Sequence, residues 1–252
     1  MSFKLDWNRL LSSERPGSSA EKTKTPGSEG RSPFEADHDR VIFSAPFRRL
    51  AGKTQVHPFA QVDHVHNRLT HTLEVASVGR SLGMNAARWL RERGEMPADR
   101  SDADVMFIVQ AACLAHDMGN PPFGHAGEYA IRVWARENLR GIFSRAGKAP
   151  ELKAVLNDWR WFEGNAQSFR LVSRKDKDER DYFRFTYASL GAMVKYPWAA
   201  DDARTRKKEK HNAFSSEADV FAEAAKALGL KKTGGKIARH PLSFLSEAAD
   251  DI

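Results

Sequence analysis

The pair His116-Asp117 stands at the end of an apolar run, Val105-Met106-Phe107-Ile108-Val109-Gln110-Ala111-Ala112-Cys113-Leu114. The run predicts a buried helix that starts near Asp102 or Asp104. A carboxylate at the end of such a helix is costly unless it is paired or holds a metal. Gly119 and then Pro121-Pro122 stop the helix and stiffen the turn that follows. His125 and Glu128 come next, three residues apart, and one helical turn puts them on the same face. Imidazole and carboxylate groups this dense, on a rigid frame, suit metal binding and proton transfer.

A metal needs donors from more than one place. Arg68-Leu69-Thr70-His71-Thr72-Leu73-Glu74-Val75-Ala76 begins a second helical pattern, with Thr70 as a plausible cap and His71 just behind it. Arg68 and His71, three apart, share a face. The interval from His71 to His116 accommodates two antiparallel helices and a loop. A further donor group closes the chain in Glu247-Ala248-Ala249-Asp250-Asp251. Mixed imidazole and carboxylate donors suit Mn²⁺, Fe²⁺, Co²⁺, Ni²⁺ or Zn²⁺.

Several ordered blocks extend the pattern. They are Asp39 to Leu50, Lys53-Thr54-Gln55-Val56, Arg68 to Val75, Ala115 to Glu128, Phe162-Glu163-Gly164-Asn165-Ala166-Gln167, Lys195-Tyr196-Pro197, and His240-Pro241-Leu242 through Ile252. With these the chain resembles the deoxyguanosine triphosphate triphosphohydrolase (dGTPase) branch of the HD phosphohydrolases. The resemblance implies a mainly α, HD-domain helical bundle over residues 35–252, after a flexible segment over 1–34. It implies a divalent ion, Mn²⁺ or Mg²⁺ foremost, on His71, His116, Asp117 and Asp250, the first of the two terminal aspartates. Water would then be activated against the α-phosphorus of a deoxynucleoside triphosphate (dNTP), dGTP by default, to give deoxynucleoside and inorganic triphosphate. His125 matches the acid that protonates the leaving 5′-oxygen, with Glu128 as its partner. Gln55 matches a residue that contacts the sugar 3′-hydroxyl, and Lys195 with Tyr196 a pair that grips phosphates. Arg68 and, more weakly, Lys210 are further cations for a tail of nearly four negative charges. Family members continue well past Ile252. The resemblance therefore implies a homo-oligomer or a second chain that completes the fold, with weak metal binding and poor hydrolysis by this chain alone.

Forty Lys and Arg against thirty-three Asp and Glu give a net charge of +7. Such a charge suits a nucleotide or a nucleic acid. The competing reading is accordingly an HD-fold regulatory or nucleic-acid-binding subunit that uses this charge on single-stranded DNA. Intact His, His-Asp and Asp positions favour the hydrolase, because a binding module has no chemical need for all of them. The single cysteine, Cys113, reads as a small core residue. There is no run of eighteen apolar residues and no signal-peptide core, so a soluble, cytoplasmic protein without membrane contact is expected.

The positioning elements follow from pattern and punctuation. Met1 to Leu11 forms at most one amphipathic turn, with Phe3, Leu5, Trp7, Leu10 and Leu11 apolar; Ser12 to Pro33 is rich in Ser, Pro, Gly and Lys and reads as flexible. Arg40, Arg48 and Arg49 read either as a solvated face or as ion pairs. Asn67 to Gly94 reads as one long helix with Pro97 beyond it. Further helices are expected over Leu152 to Trp161, Asn165 to Leu171, Tyr187 to Val194 and Glu217 to Leu228, and Pro241 opens the last one. The histidines of Asp63-His64-Val65-His66 fall in a loop and are not counted as ligands. Trp159 and Trp161 are expected in the core. Arg174 to Asp181 and Asp201 to Asn212 read as solvated loops of mixed charge.

Overall fold

Two long helices form the frame, and local sequence starts both. The computed structural model describes residues 4–17, 30–56, 58, 64–145, 152–173, 183–232 and 234–252. Helix α4 (Arg68–Glu92) opens on Asn67, whose side chain accepts from the amides of Leu69 and Thr70 at 3.0 and 2.9 Å. Thr70 is therefore not the cap; its hydroxyl donates back to the Asn67 carbonyl. Helix α5 (Asp102–Ala115) opens on a reciprocal box in which Ser101 accepts from the Asp104 amide and Asp104 accepts from the Ser101 amide. The two helices pack against each other more extensively than any other pair among the described residues. Small residues permit the approach: a Cβ built on Gly79 would fall 2.4 Å from Cys113 Sγ, and one on Gly83 2.9 Å from the Met106 Cα.

The other helices close around this pair. Helix α2 (Pro33–Ile42) lies on α5 and buries Phe34, Asp37 and Val41. A short α3 (Ala45–Arg48) and a 3-10 turn (Arg49–Gly52) lead to the bridge between Thr54 and Asn67, an extended piece as expected. Helix α6 (Gly124–Arg145) follows the His-Asp turn and packs on α7 (Leu152–Arg160). Next come α8 (Gly164–Ser173) and the wholly buried α9 (Tyr187–Met193). Helices α10 (Ala203–Lys208) and α11 (Ala218–Ala227) precede α12 (Pro241–Asp251), which packs against α4, α5 and α9. The fold is mainly α; pairings outside the helices are isolated bridges among the described residues. Among the described residues no helix is long and apolar enough to cross a membrane.

Three local expectations change. The basic stretch Asp201–Asn212 is not all loop, because α10 forms within it, capped by Asp202 and with Thr205 buried. Arg204 and Lys208 of that helix lie over the Trp198 ring at 4.6 and 5.7 Å, packing that has no apolar periodicity to announce it. Trp159 is 44 % exposed and is not a core residue. Residues 12–17, read as flexible, lie against the core: the Ser12 and Glu14 carbonyls accept from the amides of Ala188 and Tyr187, the otherwise unpaired first donors of α9. In front of them α1 (Trp7–Leu10) buries Leu10, and Leu11 follows it into the core. Arg15 pairs with the fully buried Asp37 at 2.5 Å. Phe3, the stretch 18–29, Asp63 and Arg174 to Asp181 lie outside the described residues. Arg40 pairs with Asp37, whereas Arg48 and Arg49 are exposed, so the solvated reading holds for the latter two.

His240 ties the last helix to the first. Its Nε2 lies 3.0 Å from the Leu10 carbonyl and its Nδ1 accepts from the Leu242 amide at 3.1 Å, so one nitrogen donates, the other accepts, and the ring is neutral. Complete burial, opposed by the bond to Leu10, pulls its pKa from 6.5 down to about 4. The unfolded chain therefore takes up the proton first. Stability contributed by the neutral ring is present above pH 6.5 and is lost as pH falls towards 4, by about 3 kcal/mol from this group. Urea denaturation at pH 7 and pH 4.5 should show that loss. His240→Asn, which retains a cap acceptor, should flatten it; an unchanged acid slope in the variant would contradict the assignment.

Candidate metal centre

Three elements bring the expected donors together. His71 sits in the first turn of α4, His116 and Asp117 follow the last turn of α5, and Asp250 sits in the last turn of α12. The donor atoms of His71, His116 and Asp117 all lie within 4.8 Å of one another. His71 Nε2 is 3.1 Å from Asp250 Oδ1, and His116 Nε2 is 3.4 Å from both Asp250 Oδ1 and Asp117 Oδ1. The two imidazoles meet edge to face, with centroids 5.5 Å apart.

The tautomer of His116 is set by its neighbour. Its Nδ1 lies 2.6 Å from the Cys113 carbonyl, an acceptor only, so the proton sits on Nδ1. Nε2 then carries a lone pair, is buried, and has no hydrogen-bond partner. It faces two carboxylate oxygens. Lone pairs converging in a dry space repel unless a cation lies between them, either a proton or a metal ion. This donor set fits a divalent ion held by nitrogen and oxygen, with the far side of the imidazole hydrogen-bonded as in metal sites generally. The same crowding appears in the titration. Burial works to lower the His116 pKa, but the charges of Asp117 and Asp250 outweigh it and the net shift is upward. Burial raises Asp250, yet the neighbouring His116, the bond from His71 and the charge of Lys195 carry it well below the usual carboxylate range.

Each donor carboxylate has a cation on its outer oxygen. Arg68 binds Asp117 Oδ2 at 2.6 Å, and Lys195 binds Asp250 Oδ2 at 2.8 Å. Asn120 Nδ2 holds Asp117 Oδ1 at 2.5 Å. Burial opposes the charge of Lys195, but Asp250 prevails and its pKa rises. Arg68 and Lys195, expected to face phosphates, are thus engaged with the donor carboxylates. Cys113 is a packing residue: burial pushes its thiol up to about 12.

A second cluster forms where α6 begins. Phe123 and Gly124 adopt left-handed backbone, φ 66° and 52°, and the His125 side chain emerges 86 % exposed. Its Nδ1 lies 3.0 Å from Glu128 Oε2, while Glu128 Oε1 accepts from the Gly164 amide at 2.7 Å. Burial raises Glu128, but the bond from His125 and the charge of Lys210 bring it below its ordinary value. Lys210 binds Glu163 at 2.8 Å and approaches Glu128 at 3.7 Å. Tyr196 neighbours both Lys195 and Lys210. The two clusters flank one glycine: a Cβ on Gly164 would fall 1.9 Å from Asn120 Oδ1 and 2.9 Å from Glu128 Oε1. Gln55 stands apart, before α4, with Oε1 buried and without a partner. His66 pairs with Glu74 and takes no part. Glu163, fully buried, and Asn120 received no role from the sequence, although both fall in blocks that drew attention.

A family model described as HD domain matches residues 68–181, a span that holds His71, His116, Asp117, His125 and Glu128. The chain is 46 % identical to a deoxyguanosinetriphosphate triphosphohydrolase-like protein of Pseudomonas aeruginosa over 98 % of its own length and 55 % of the relative's. It is 40 % identical to a like-named protein of Synechocystis, over 98 % of this chain and 58 % of that one. It is 37 % identical to a probable deoxyguanosinetriphosphate triphosphohydrolase of Pseudomonas aeruginosa, over 87 % and 45 %. The chain spans about half the length of the curated relatives it matches.

If His116 and Asp117 are donors, replacing either by Ala should abolish stoichiometric binding of Mn²⁺ and leave the helical circular dichroism nearly unchanged. Elemental analysis checks it, and full metal content in both variants would remove the assignment.

Proposed function

We propose that this chain, an HD-domain protein similar along nearly its whole length to deoxyguanosinetriphosphate triphosphohydrolase-like proteins, is a metal-dependent phosphohydrolase of dNTPs, dGTP first. It releases deoxynucleoside and inorganic triphosphate. The observation that carries this reading is the bare, buried Nε2 of His116, turned towards His71, Asp117 and Asp250. These four side chains would hold a divalent ion, Mn²⁺ or Mg²⁺ in the first place. When bound, such an ion supplies Lewis acidity to a phosphoryl oxygen and acidifies water at neutral pH.

The chain's own residues do the rest. Arg68 and Lys195 keep the outer carboxylate oxygens occupied, so Asp117 and Asp250 present one oxygen each to the centre. Both cations also offset the charge of an incoming triphosphate, with Lys210 and the Tyr196 hydroxyl beside them. Gln55, whose Oε1 is a buried acceptor without a partner, accepts a hydrogen bond from a sugar hydroxyl. Water adds to the α-phosphorus as the bond to the 5′-oxygen breaks, and His125 delivers the proton that this alkoxide leaving group needs. Glu128 orients the ring through Nδ1 and leaves Nε2 to face the substrate. Exposure of His125 suits a group that meets substrate rather than one packed for stability.

Reaction in ¹⁸O-water should place the label in triphosphate and none in the deoxynucleoside. His125→Ala should slow turnover by roughly 10²–10⁴, the range for a general acid. Formation of monophosphate and pyrophosphate would contradict expulsion of the 5′-oxygen as the leaving group.

A further inference from the structure

The His-Asp turn poses a problem that the metal donors do not solve. Residues 116–120 leave α5 without entering another element, so their carbonyls have no helical partners. Inside the turn, only the Ala115 and Asp117 carbonyls are satisfied by its own amides, those of Met118 and Asn120. The remaining bonds come from far along the chain. Ser168 of α8, 1 % exposed, donates to the His116 carbonyl at 2.8 Å and accepts from the Gly119 amide at 2.9 Å. Lys53 Nζ donates to the Asn120 carbonyl at 2.7 Å and to that of Met118 at 3.3 Å. Helix α8 meets the turn backbone to backbone: a Cβ on Gly119 would lie 2.2 Å from the Ser168 amide nitrogen.

Lys53 also reaches the other half of the centre. Its carbonyl accepts from the Arg68 amide at 2.9 Å, at the first residue of α4. One residue thus hydrogen-bonds the start of the helix that carries His71 and the turn that carries His116 and Asp117. A cation there also sits where the α5 dipole ends.

We propose that Lys53 and Ser168 are positioning residues of the metal centre. They fix the backbone of the His-Asp turn, and through Lys53 its spacing from α4, so that donors on separate elements meet one ion. The inference rests on the reading of His71, His116, Asp117 and Asp250 as donors, because neither side chain touches the ion itself. Metal coordination tolerates errors of about 0.5 Å, a tolerance that a turn with unsatisfied carbonyls would exceed.

Co²⁺ titration followed by its visible absorption tests this, with thermal midpoint and helical content recorded for each protein. Lys53→Met removes the donor and keeps the stem, Lys53→Arg keeps a donor, and Ser168→Ala removes the second strap. Leu228→Ala, a core change in α11's last contacts, serves as a comparison for lost stability alone. Lys53→Met and Ser168→Ala should bind Co²⁺ about 10–100-fold more weakly, the usual effect of outer-shell partners. Their absorption bands should broaden. Lys53→Arg should recover most of the affinity, and Leu228→Ala should bind as the unaltered protein does. Unaltered affinity in Lys53→Met overturns the proposal and leaves the donor assignment standing. An equal loss in Leu228→Ala overturns it too, since positioning would then be indistinguishable from general stability. If the unaltered protein itself fails to bind Co²⁺, the donor reading falls and this proposal with it. Lys53 is only part-buried, so its pair of variants decides the matter even if Ser168→Ala does not fold.

Discussion

Everything around the centre depends on the hydrogen bond from His116 Nδ1 to the Cys113 carbonyl. That 2.6 Å contact spends one imidazole nitrogen on the helix end and leaves the other as a buried base among carboxylate oxygens. Such an arrangement is unfavourable in an empty, dry space, and several kcal/mol separate a paired buried charge from an unpaired one. The fold answers with cations on the outside of each carboxylate, Arg68 on Asp117 and Lys195 on Asp250. The inner oxygens face the shared space, with Asn120 also holding that of Asp117. The packing of α12 against both α4 and α5 has the same consequence, because Asp250 joins the cluster only if that helix is docked.

Charge in the molecule is layered rather than simply basic. Arg68, Lys195 and Lys210 each lie on a carboxylate, so little of the +7 stands unpaired at the centre itself. A divalent ion would draw on Asp117 and Asp250 and loosen their hold on the two cations. Metal and a polyanionic ligand would therefore favour each other electrostatically. The Gly164 contact lets Asn120, which steadies Asp117, and Glu128, which steadies His125, lie side by side.

Much of this was legible in the sequence because the signals were local. Caps, glycines and prolines announced α4, α5 and α12, and an adjacent His and Asp at a helix end announced the side-chain cluster that His71 joins. Asn67 rather than Thr70 caps α4, a shift of one turn that no periodicity could resolve. What stayed hidden was carried by contacts distant along the chain. Lys53 and Ser168 bind backbone carbonyls, which leave no mark in any pattern of side chains. Helix α10 is short and polar and is held by cations over Trp198, so it read as a loop. Ser12 and Glu14 sit in a segment of flexible composition, and only the unpaired first amides of α9 explain why their carbonyls are docked there.

The central claim is that His71 and His116, on different helices, bind one ion through their Nε2 atoms. Pulsed electron paramagnetic resonance of the Mn²⁺-loaded protein, with histidine ¹⁵N-labelled, counts the coordinated imidazoles directly. Two strongly coupled nitrogens are expected, falling to one in either His71→Ala or His116→Ala. Spectra without nitrogen coupling, or with a count unaffected by both replacements, would contradict it.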